Sequence, residues 1–249
     1  MTWMPDSNEL APGVTVERRT ILWAPLALAA AVARRARADA LSPPLDWDDF
    51  IRLCPADAAT IARDVSEVGQ DAYLNRIASW AVRLKAAPDT KLGAFDGLDP
   101  KVEFGRCFLG VPFAVIQWRM APNAILPAHC HPHGSVCTVG MEGEARLRHF
   151  EVHGDAPAFD SGAKTPFLIR ETRSQLISPR RISTLSATRD NIHYFEAGSA
   201  GARGLDITTM YAGDGSFSFV AFEPSKPKDP KRQTYEAVWT GMKLSKERL

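Results

Sequence analysis

The apolar residues between positions 44 and 87 recur at the three- and four-residue spacing of amphipathic helices. A helix start is indicated where Asp46 and Asp48 flank Trp47, ahead of a run of apolar residues. The spacing predicts helices whose apolar face packs against another layer of the protein. Pro88 and the stretch rich in Gly and Asp up to Pro100 end this layer. The apolar positions are Ile61, Val65, Val68, Tyr73, Leu74, Ile77, Trp80 and Leu84.

From Phe104 onward the pattern changes to short β-like runs that are separated by Gly, Pro, Asp and Asn. Strands this short and this regularly interrupted are typical of a closed β-barrel or a double-sheet jelly roll. The tail after Glu223 is rich in Pro and Lys, which predicts an extended arm. The predicted strands are residues 113–120, 136–141, 145–151, 167–170, 183–187, 205–211 and 216–222.

These patterns divide the chain into an N-terminal helical layer (residues 41–100), a barrel (101–224) and a C-terminal arm (225–249). The predicted fold class is mainly β, with the helices packed on the barrel. A chain of 249 residues has room for one good core and a smaller helical layer.

The first 40 residues have the features of an export signal. Arg18 and Arg19 precede an apolar run over residues 22–33, and Ala38-Asp39-Ala40 resembles a cleavage site. The order resembles a bacterial twin-arginine signal, which predicts recognition by the twin-arginine export machinery and a periplasmic location. The run is too short for a permanent transmembrane helix, so we expect no stable membrane insertion after cleavage. The alternative is a basic amphipathic or uncleaved anchor helix.

Charge and cysteine content narrow the classes of partner. Residues 1–40 hold five of the 30 basic and four of the 29 acidic side chains, so the remainder carries 25 of each. A neutral mature chain gives no indication of nucleic-acid binding. In an oxidising compartment a disulfide is an open alternative for any of the four cysteines, and none of them has C-x-x-C spacing. The cysteines are Cys54, Cys107, Cys130 and Cys137.

Three histidines form a candidate metal site. His129 and His131 are separated by one residue, so on a strand their side chains point to the same side, and His193 can join them from another strand. Cupin barrels commonly supply a glutamate four or five residues after the second histidine, where this chain has Ser135 and Val136. Three neutral imidazoles leave Fe(II) with its full formal charge, which favours an anionic thiolate with dioxygen beside it.

Other readings of the histidines remain open. His133 could replace a ligand, but Pro132 interrupts the strand before it, so we expect a residue at the pocket rim. His149 and His153 flank a polar turn and are expected to be exposed. The three histidines could also form a polar core without a metal, which would require a separate explanation for each of them.

The chain resembles the three-histidine thiol dioxygenases of the cupin superfamily, the group of cysteine dioxygenase, cysteamine dioxygenase and the plant cysteine oxidases. Residues 126–132, Leu-Pro-Ala-His-Cys-His-Pro, resemble the Pro-x-His-x-His-Pro segment of that family. Residues 190–195, Asp-Asn-Ile-His-Tyr-Phe, resemble its Gly-Asn-Ile-His-x-Phe segment, and residues 205–207 with Tyr211 resemble a later Leu-Asp-Ile strand. The resemblance covers residues 101–224 and implies a cupin barrel, a double-stranded β-helix.

The resemblance also implies roles for individual residues. His129, His131 and His193 would be the iron ligands, and Asp206 would be an acid behind them, with a plain strand residue as its alternative. A thioether between Cys137 and Tyr211 is a hypothesis, because the spacing is close to that of the cross-linked pair in cysteine dioxygenases. Independently of this cross-link, the resemblance implies that Tyr211 would place its hydroxyl beside iron-bound oxygen.

Recognition of the substrate is assigned to an arginine. Arg106 could pair with a substrate carboxylate, with Arg119 as the competitor and a solvated barrel arginine as the plain alternative. If neither arginine reaches the pocket, an amine-only thiol or a peptide with an N-terminal cysteine fits better.

The predicted activity is that of an Fe(II) dioxygenase, which adds both atoms of dioxygen to a small thiol and gives a sulfinic acid. Two rival functions use the same histidines. One is a lyase, isomerase or hydrolase that uses zinc, nickel or manganese as a Lewis acid. The other is a cupin that binds a metal or a small ligand without turnover.

Overall fold

The computed structural model describes residues 43–61, 63–158, 164–211 and 217–244, which form two helices and ten strands. The predicted export signal over residues 1–40 lies outside the described residues. No helix in the described part of the chain combines the length and the hydrophobicity needed to cross a membrane.

Helices α1 (Trp47–Ile61) and α2 (Glu67–Ala81) form the predicted N-terminal layer. The Asp46 carboxylate accepts a hydrogen bond from the Asp49 N–H at the start of α1, and Ser66 caps α2 by accepting from the Gly69 N–H. The buried residues lie on one stripe of each helix, as the periodicity predicts. Val65 and Val68 are 49% and 79% exposed, so their assignment to the apolar stripe is wrong. The buried residues are Phe50, Cys54, Ala58 and Ile61 in α1 and Gln70, Tyr73, Leu74, Ile77 and Ala81 in α2.

The ten strands form one connected antiparallel sheet that folds back on itself. The pairing order is β1-β2-β3-β8-β4-β9-β10-β6-β5-β7, and an additional pairing between β8 and β5 closes the barrel. The strands are β1 (Gly93–Ala94), β2 (Val102–Gly110), β3 (Phe113–Met120), β4 (Ile125–Cys130), β5 (Gly134–Val152), β6 (Phe167–Ile177), β7 (Ile182–Leu185), β8 (Ile192–Met210), β9 (Phe217–Phe222) and β10 (Thr234–Leu244).

Strands β5 and β8 are 19 residues long, and each contributes to two sheets. The first half of β5 and the second half of β8 lie between β3 and β7 and form what we call the helix-side sheet. The second half of β5 and the first half of β8 lie between β4 and β6 and form the hairpin-side sheet. The register shifts at Gly140/Glu142 and Gly143/Ala145, where one sheet passes into the other.

Three apolar cores follow from this arrangement. The helices cover the outer face of the helix-side sheet, where Tyr73 and Ile77 pack with Cys137 and Ile207. The space between the two sheets is filled by a second core that includes Trp118, Leu147 and Phe195. Strands β9 and β10 cover the outer face of the hairpin-side sheet and enclose the third core, which includes Ile192, Tyr194 and Trp239.

The C-terminal segment is a part of the barrel assembly. Strand β10 pairs with both β6 and β9, and β9 pairs with β4, so the prediction of an extended arm over residues 225–249 is wrong for residues 234–244. The prolines end before β10 begins, and the outer face of the hairpin-side sheet needs a cover that this strand provides.

The predicted fold class is confirmed: the protein is mainly β, a closed antiparallel barrel of the double-stranded β-helix type with two N-terminal helices. The four cysteines are all free thiols in the structure, so the disulfide alternative finds no support there.

Candidate metal centre

His129, His131 and His193 meet in the space between the two sheets. His129 lies on β4 directly opposite His193 on β8, and directly opposed residues of an antiparallel pair point to the same face. His131 is the first residue after the end of β4. All three side chains are buried, and His193 is completely shielded from solvent.

The spacing of the three imidazoles fits a single metal ion. Nε2 of His193 lies 2.7 Å from Nε2 of His129 and 3.1 Å from Nε2 of His131. Three nitrogens on one face of an ion, each at about 2.1 Å from it, are separated by about 3 Å. This group is the one cluster of histidine, cysteine or carboxylate side chains in the described residues whose ligand atoms all lie within 4.8 Å of one another. The three histidines could therefore hold a metal.

The tautomer of His129 suits this role. Its Nδ1 lies 2.9 Å from the Pro127 carbonyl oxygen, so Nδ1 carries the proton and donates it, and Nε2 keeps its lone pair for a metal. Nδ1 of His193 is buried and has no hydrogen-bond partner among the described residues.

Burial keeps these imidazoles neutral. It lowers the pKa of His129 from 6.5 to about 4, against a raising effect of the hydrogen bond to Pro127. Burial also lowers the pKa of His193 well below its usual value, and the neighbouring His129 and His131 add to the effect. Since a metal competes with the proton for the imidazole nitrogen, the neutral form is the one that binds it.

Aromatic side chains enclose the three histidines. The Phe217 ring centroid lies 5.2 Å from that of His129 and 5.5 Å from that of His131, and Phe219 lies 5.5 Å from His129. The Phe195 ring lies 4.9 Å from His193. These rings exclude water from the centre and leave a surrounding of low polarity, in which charge interactions are strong.

The carboxylate ligand of common cupin sites is missing from the cluster, as the sequence predicts. Ser135 and Val136 are buried in β5 at the positions where cupin barrels commonly carry a glutamate. Within the described residues the cluster consists of the three histidines alone.

Asp206 lies on the inner face of the helix-side sheet. It is directly opposite Thr138 on β5 and Ile116 on β3, and the Thr138 hydroxyl donates to its carboxylate at 2.6 Å. Asp206 is 8% exposed. The structure therefore places this acid in the same inter-sheet layer as the histidines, where its predicted role remains a prediction.

Cys137 points away from the histidines. It neighbours Thr138 in β5, and successive side chains of a strand alternate between faces, so Cys137 packs with the helices in the first core. Burial raises the pKa of its thiol, with a further raising effect from Asp206. The structure therefore gives no geometric support to a role of Cys137 beside the metal.

Tyr211 also packs against the helix-side core. Its hydroxyl donates to Gln70 Oε1 of α2 at 2.5 Å and accepts from the Ala187 N–H at 3.2 Å. The structure thus engages this hydroxyl with α2 and the 186–190 segment, and it does not bring it to the three histidines. A thioether between Cys137 and Tyr211 stays a prediction, and it would lie on the helix side of the sheet.

Neither candidate arginine is brought to the centre. Arg106 is exposed on β2. It lies opposite Ile116 of β3, which in turn lies opposite Asp206 of β8, so that β3 separates Arg106 from Asp206. Arg119 is exposed as well and pairs with Glu103 at 2.6 Å. The predicted role of Arg106 in substrate binding has no geometric support in this structure.

His149 is the residue of this region that the sequence reasoning missed. It lies opposite His193 on β5, on the same face, and it is buried, so its predicted exposure is wrong. Its Nε2 lies 2.7 Å from the Ser183 hydroxyl of β7, and its Nδ1 lies 3.3 Å from the Asp190 carbonyl oxygen. The alternation Ala145, Leu147, His149 along β5 is the signal that places it inside.

A group of charged residues adjoins His149. Burial and the nearby Arg173 guanidinium lower the pKa of His149 to about 4. Arg173 pairs with Asp190 at 3.4 Å and donates to the Thr184 carbonyl at 2.8 Å. Asp190 also accepts from Thr172 and Arg189. These contacts fix the segment that leads into Asn191 and His193.

The other two histidines lie outside the cluster. His133 is exposed in the turn after His131, in agreement with a place at the rim, and His153 is half-buried just after β5. Neither belongs to the group of converging ligand atoms.

Comparison with known proteins gives structural similarities but no relative in sequence. No family model matches the chain, and no curated protein matches it. KdgF from Halomonas sp. is 10% identical with a TM-score of 0.35, over 50% of this chain and 89% of KdgF. The polyketide cyclase RemF from Streptomyces resistomycificus is 16% identical with a TM-score of 0.36, over 51% of this chain and 78% of RemF.

The cupin domain of Cnp3 from Schizosaccharomyces pombe is 13% identical with a TM-score of 0.35, over 50% of this chain and 72% of that domain. All three similarities lie below a TM-score of 0.5 and below 25% identity. The assignment of the fold therefore rests on the strand pairing, and no function passes from these proteins to this chain.

Proposed function

We propose that this protein is an Fe(II)-dependent dioxygenase that oxidises a small thiol to its sulfinic acid. The observation that carries the proposal is the convergence of three buried imidazoles, without a carboxylate among them in the described residues. In the overall reaction one thiol and one dioxygen give one sulfinic acid, and both oxygen atoms end on sulfur.

The donor set supports this chemistry through its charge. When bound, a ferrous ion would supply two positive charges and open coordination positions for a thiolate and dioxygen. His129, His131 and His193 would hold the ion without neutralising it, because each of them is a neutral ligand. An uncompensated dication lowers the pKa of a nearby thiol, so the site favours substrates that bind as thiolates.

The surroundings supply orientation and exclusion of water. Phe195, Phe217 and Phe219 shield the histidines from solvent. Asp206 is the acid that faces the same layer, and we assign to it the positioning of a polar group of the substrate. A site with a buried carboxylate and two exposed candidate arginines favours thiols that carry an amine over thiols that carry a carboxylate.

Export belongs to the same proposal. The paired Arg18 and Arg19 would direct the folded protein, loaded with its metal, to the twin-arginine machinery, and the enzyme would act in the periplasm.

Dioxygen consumption tests the activity directly. The protein is loaded anaerobically with Fe(II) and offered cysteine, cysteamine and 3-mercaptopropionate, and dioxygen uptake is compared with the amount of sulfinate formed. We expect equal amounts of both with at least one thiol, and loss of both in His193→Ala. His153→Ala is the matched control, because it removes a histidine outside the cluster, and it should retain the wild-type rate.

Absence of uptake with stoichiometric iron bound would contradict the proposal. The activity would then be sought in Lewis-acid chemistry with zinc, nickel or manganese, or in binding without turnover. Sulfinate formation that persists in His193→Ala would place the reaction elsewhere in the protein.

A further inference from the structure

Strand β4 ends one residue before His131. The last pair of the β4–β8 ladder is Cys130 with Ile192, so His131 comes to lie beside Asn191 just beyond the regular pairing. Pro132 follows immediately and has no N–H to donate. The backbone of His131 therefore needs partners outside the ladder.

The side chain of Asn191 supplies them. Its Oδ1 accepts a hydrogen bond from the His131 N–H at 3.2 Å. The same N–H also donates to the Asn191 backbone carbonyl oxygen at 3.3 Å. Its Nδ2 donates to the His131 carbonyl oxygen at 3.0 Å and to the Ser186 carbonyl oxygen at 3.0 Å. One amide side chain thus bonds both peptide groups of His131 and uses donor and acceptor together.

The other two histidines of the cluster are held differently. His129 and His193 are opposed in the ladder, and His129 is also opposed to Phe219 of β9. Their backbones are positioned by regular strand pairing on both sides. His131 differs from them because a side chain, that of Asn191, binds both its N–H and its carbonyl oxygen. Its backbone partners are the Asn191 carbonyl oxygen, which accepts from the same N–H, and the Gly134 N–H, which donates to the His131 carbonyl oxygen at 3.2 Å.

The far end of this contact is anchored to the helical layer. Ser186 begins a short turn whose Ala187 N–H donates to Gln70 Oε1 of α2 and to the Tyr211 hydroxyl. Arg189 in the same turn pairs with Asp71 of α2 at 2.7 Å. Asn191 therefore joins His131 to a segment that is itself fixed.

We propose that Asn191 is a positioning residue for the metal: it sets the place of the His131 imidazole by holding the His131 backbone. This inference rests on the proposed metal centre, and it is independent of the thiol chemistry. Residues that orient a ligand typically change metal affinity by about 10- to 100-fold when they are removed.

The test compares Co(II) affinity by competition with a chelator. Asn191→Ala and Asn191→Asp should each weaken binding by about 10- to 100-fold. The aspartate keeps the size and the acceptor but loses both donated hydrogen bonds. Thr188→Ala is the matched control, because the exposed Thr188 lies in the same turn and its hydroxyl lies 3.3 Å from the Ser186 hydroxyl. The control should bind Co(II) as the wild type does.

A double-mutant cycle with His131→Ala separates positioning from a general loss of structure. If Asn191 acts through His131, Asn191→Ala should cause no further loss of affinity once His131 is an alanine. A second 10-fold loss in that background, or wild-type affinity of Asn191→Ala itself, would overturn the inference.

A wild-type protein that binds neither Co(II) nor Fe(II) would overturn the proposed function instead. The inference is then decided in the metal-free protein by hydrogen exchange of the His131 amide. Exchange in Asn191→Ala should be at least about fivefold faster than in Thr188→Ala, since the side-chain hydrogen bonds are lost. Equal exchange rates would show that Asn191 does not hold His131.

Discussion

The side-chain environment of each histidine decides its chemistry. His129, His149 and His193 lie in one cross-strand row inside the protein, and burial keeps them neutral near physiological pH. His133 lies two residues after His131 and is exposed. The same residue type therefore serves as a metal ligand candidate, an internal hydrogen-bonding group or a surface residue, according to its place on the strands.

The buried histidines predict a stability that depends on pH. The pKa of His129 and that of His149 are each lowered from 6.5 to about 4 by folding. The unfolded chain therefore binds more protons than the folded protein between these two pH values. As a result, the free energy of unfolding of the metal-free protein has its highest value above about pH 6.5 and falls as the pH drops toward 4. This difference in pKa corresponds to about 3 kcal/mol for each of these two histidines.

Chemical denaturation between pH 4 and pH 8 measures this effect. His149→Gln removes one of the buried histidines whose pKa is lowered by folding and should flatten the curve, whereas His133→Gln, at an exposed position, should leave its slope unchanged. A wild-type curve that is flat between pH 6.5 and 4 would contradict the assignment of buried neutral histidines.

Neighbouring residues on a strand can serve different parts of the molecule. Thr138 faces the inter-sheet layer and bonds Asp206, whereas Cys137 faces the helices. Motif spacing alone suggested Cys137 as a residue of the metal centre. The alternation of side chains along β5 explains why it is not, because a step of one residue exchanges the faces.

At the level of elements, the long strands β5 and β8 depend on local irregularities. The sequence pattern predicts two separate strands, residues 136–141 and 145–151, because glycines such as Gly140 and Gly143 interrupt the run between them. The structure uses these glycines as bulges that carry one continuous strand from the first sheet into the second. A turn and a bulge share residue preferences, so the local sequence does not distinguish them.

Gly143 provides a test of this bend. It has φ of +60°, and a Cβ built on it would lie 2.2 Å from the Gly201 carbonyl oxygen. Gly143→Ala should lower the free energy of unfolding by at least about 2 kcal/mol through backbone strain and steric overlap. Gly93→Ala is the matched control, because a Cβ there has no atom within 4 Å, and it should change stability by less than about 0.5 kcal/mol. Equal effects of both substitutions in denaturant unfolding would contradict this account.

At the level of the whole molecule, the protein stacks four layers around three cores. The helices cover the outer face of one sheet and the β9–β10 pair covers the outer face of the other, so that both faces of each sheet are buried. The candidate metal centre lies between the sheets, where both neighbouring layers shield it from solvent. The two helices and the C-terminal strand are needed because the outer face of each sheet is apolar and must be buried against another layer.

Trp239 tests the contribution of the C-terminal strand. It is 4% exposed, its ring lies 4.9 Å from that of Phe167, and its Nε1–H donates to the Pro157 carbonyl at 2.9 Å. Trp239→Ala should lower the free energy of unfolding by about 3–5 kcal/mol, as for other large residues removed from a core. Glu236→Ala, at an exposed position of the same strand, should change it by less than about 0.5 kcal/mol. If the two variants unfold at the same denaturant concentration, β10 does not complete a core.

The sequence by itself determined the class of fold, the helical layer, strand β3 to the residue, and the three histidines with their missing carboxylate, because these depend on residue periodicity and on short motifs. Only the tertiary structure decided which of the remaining residues reach the centre. It brought His149 and Asn191 beside the ligand strands, turned Cys137 toward the helices and built β10 into the barrel. These outcomes depend on strand register and on contacts between residues that are 40 or more positions apart, as between His149 and Asp190 or His131 and Asn191. A local pattern carries no information about such distant pairings, and the burial of complementary faces against one another selects them.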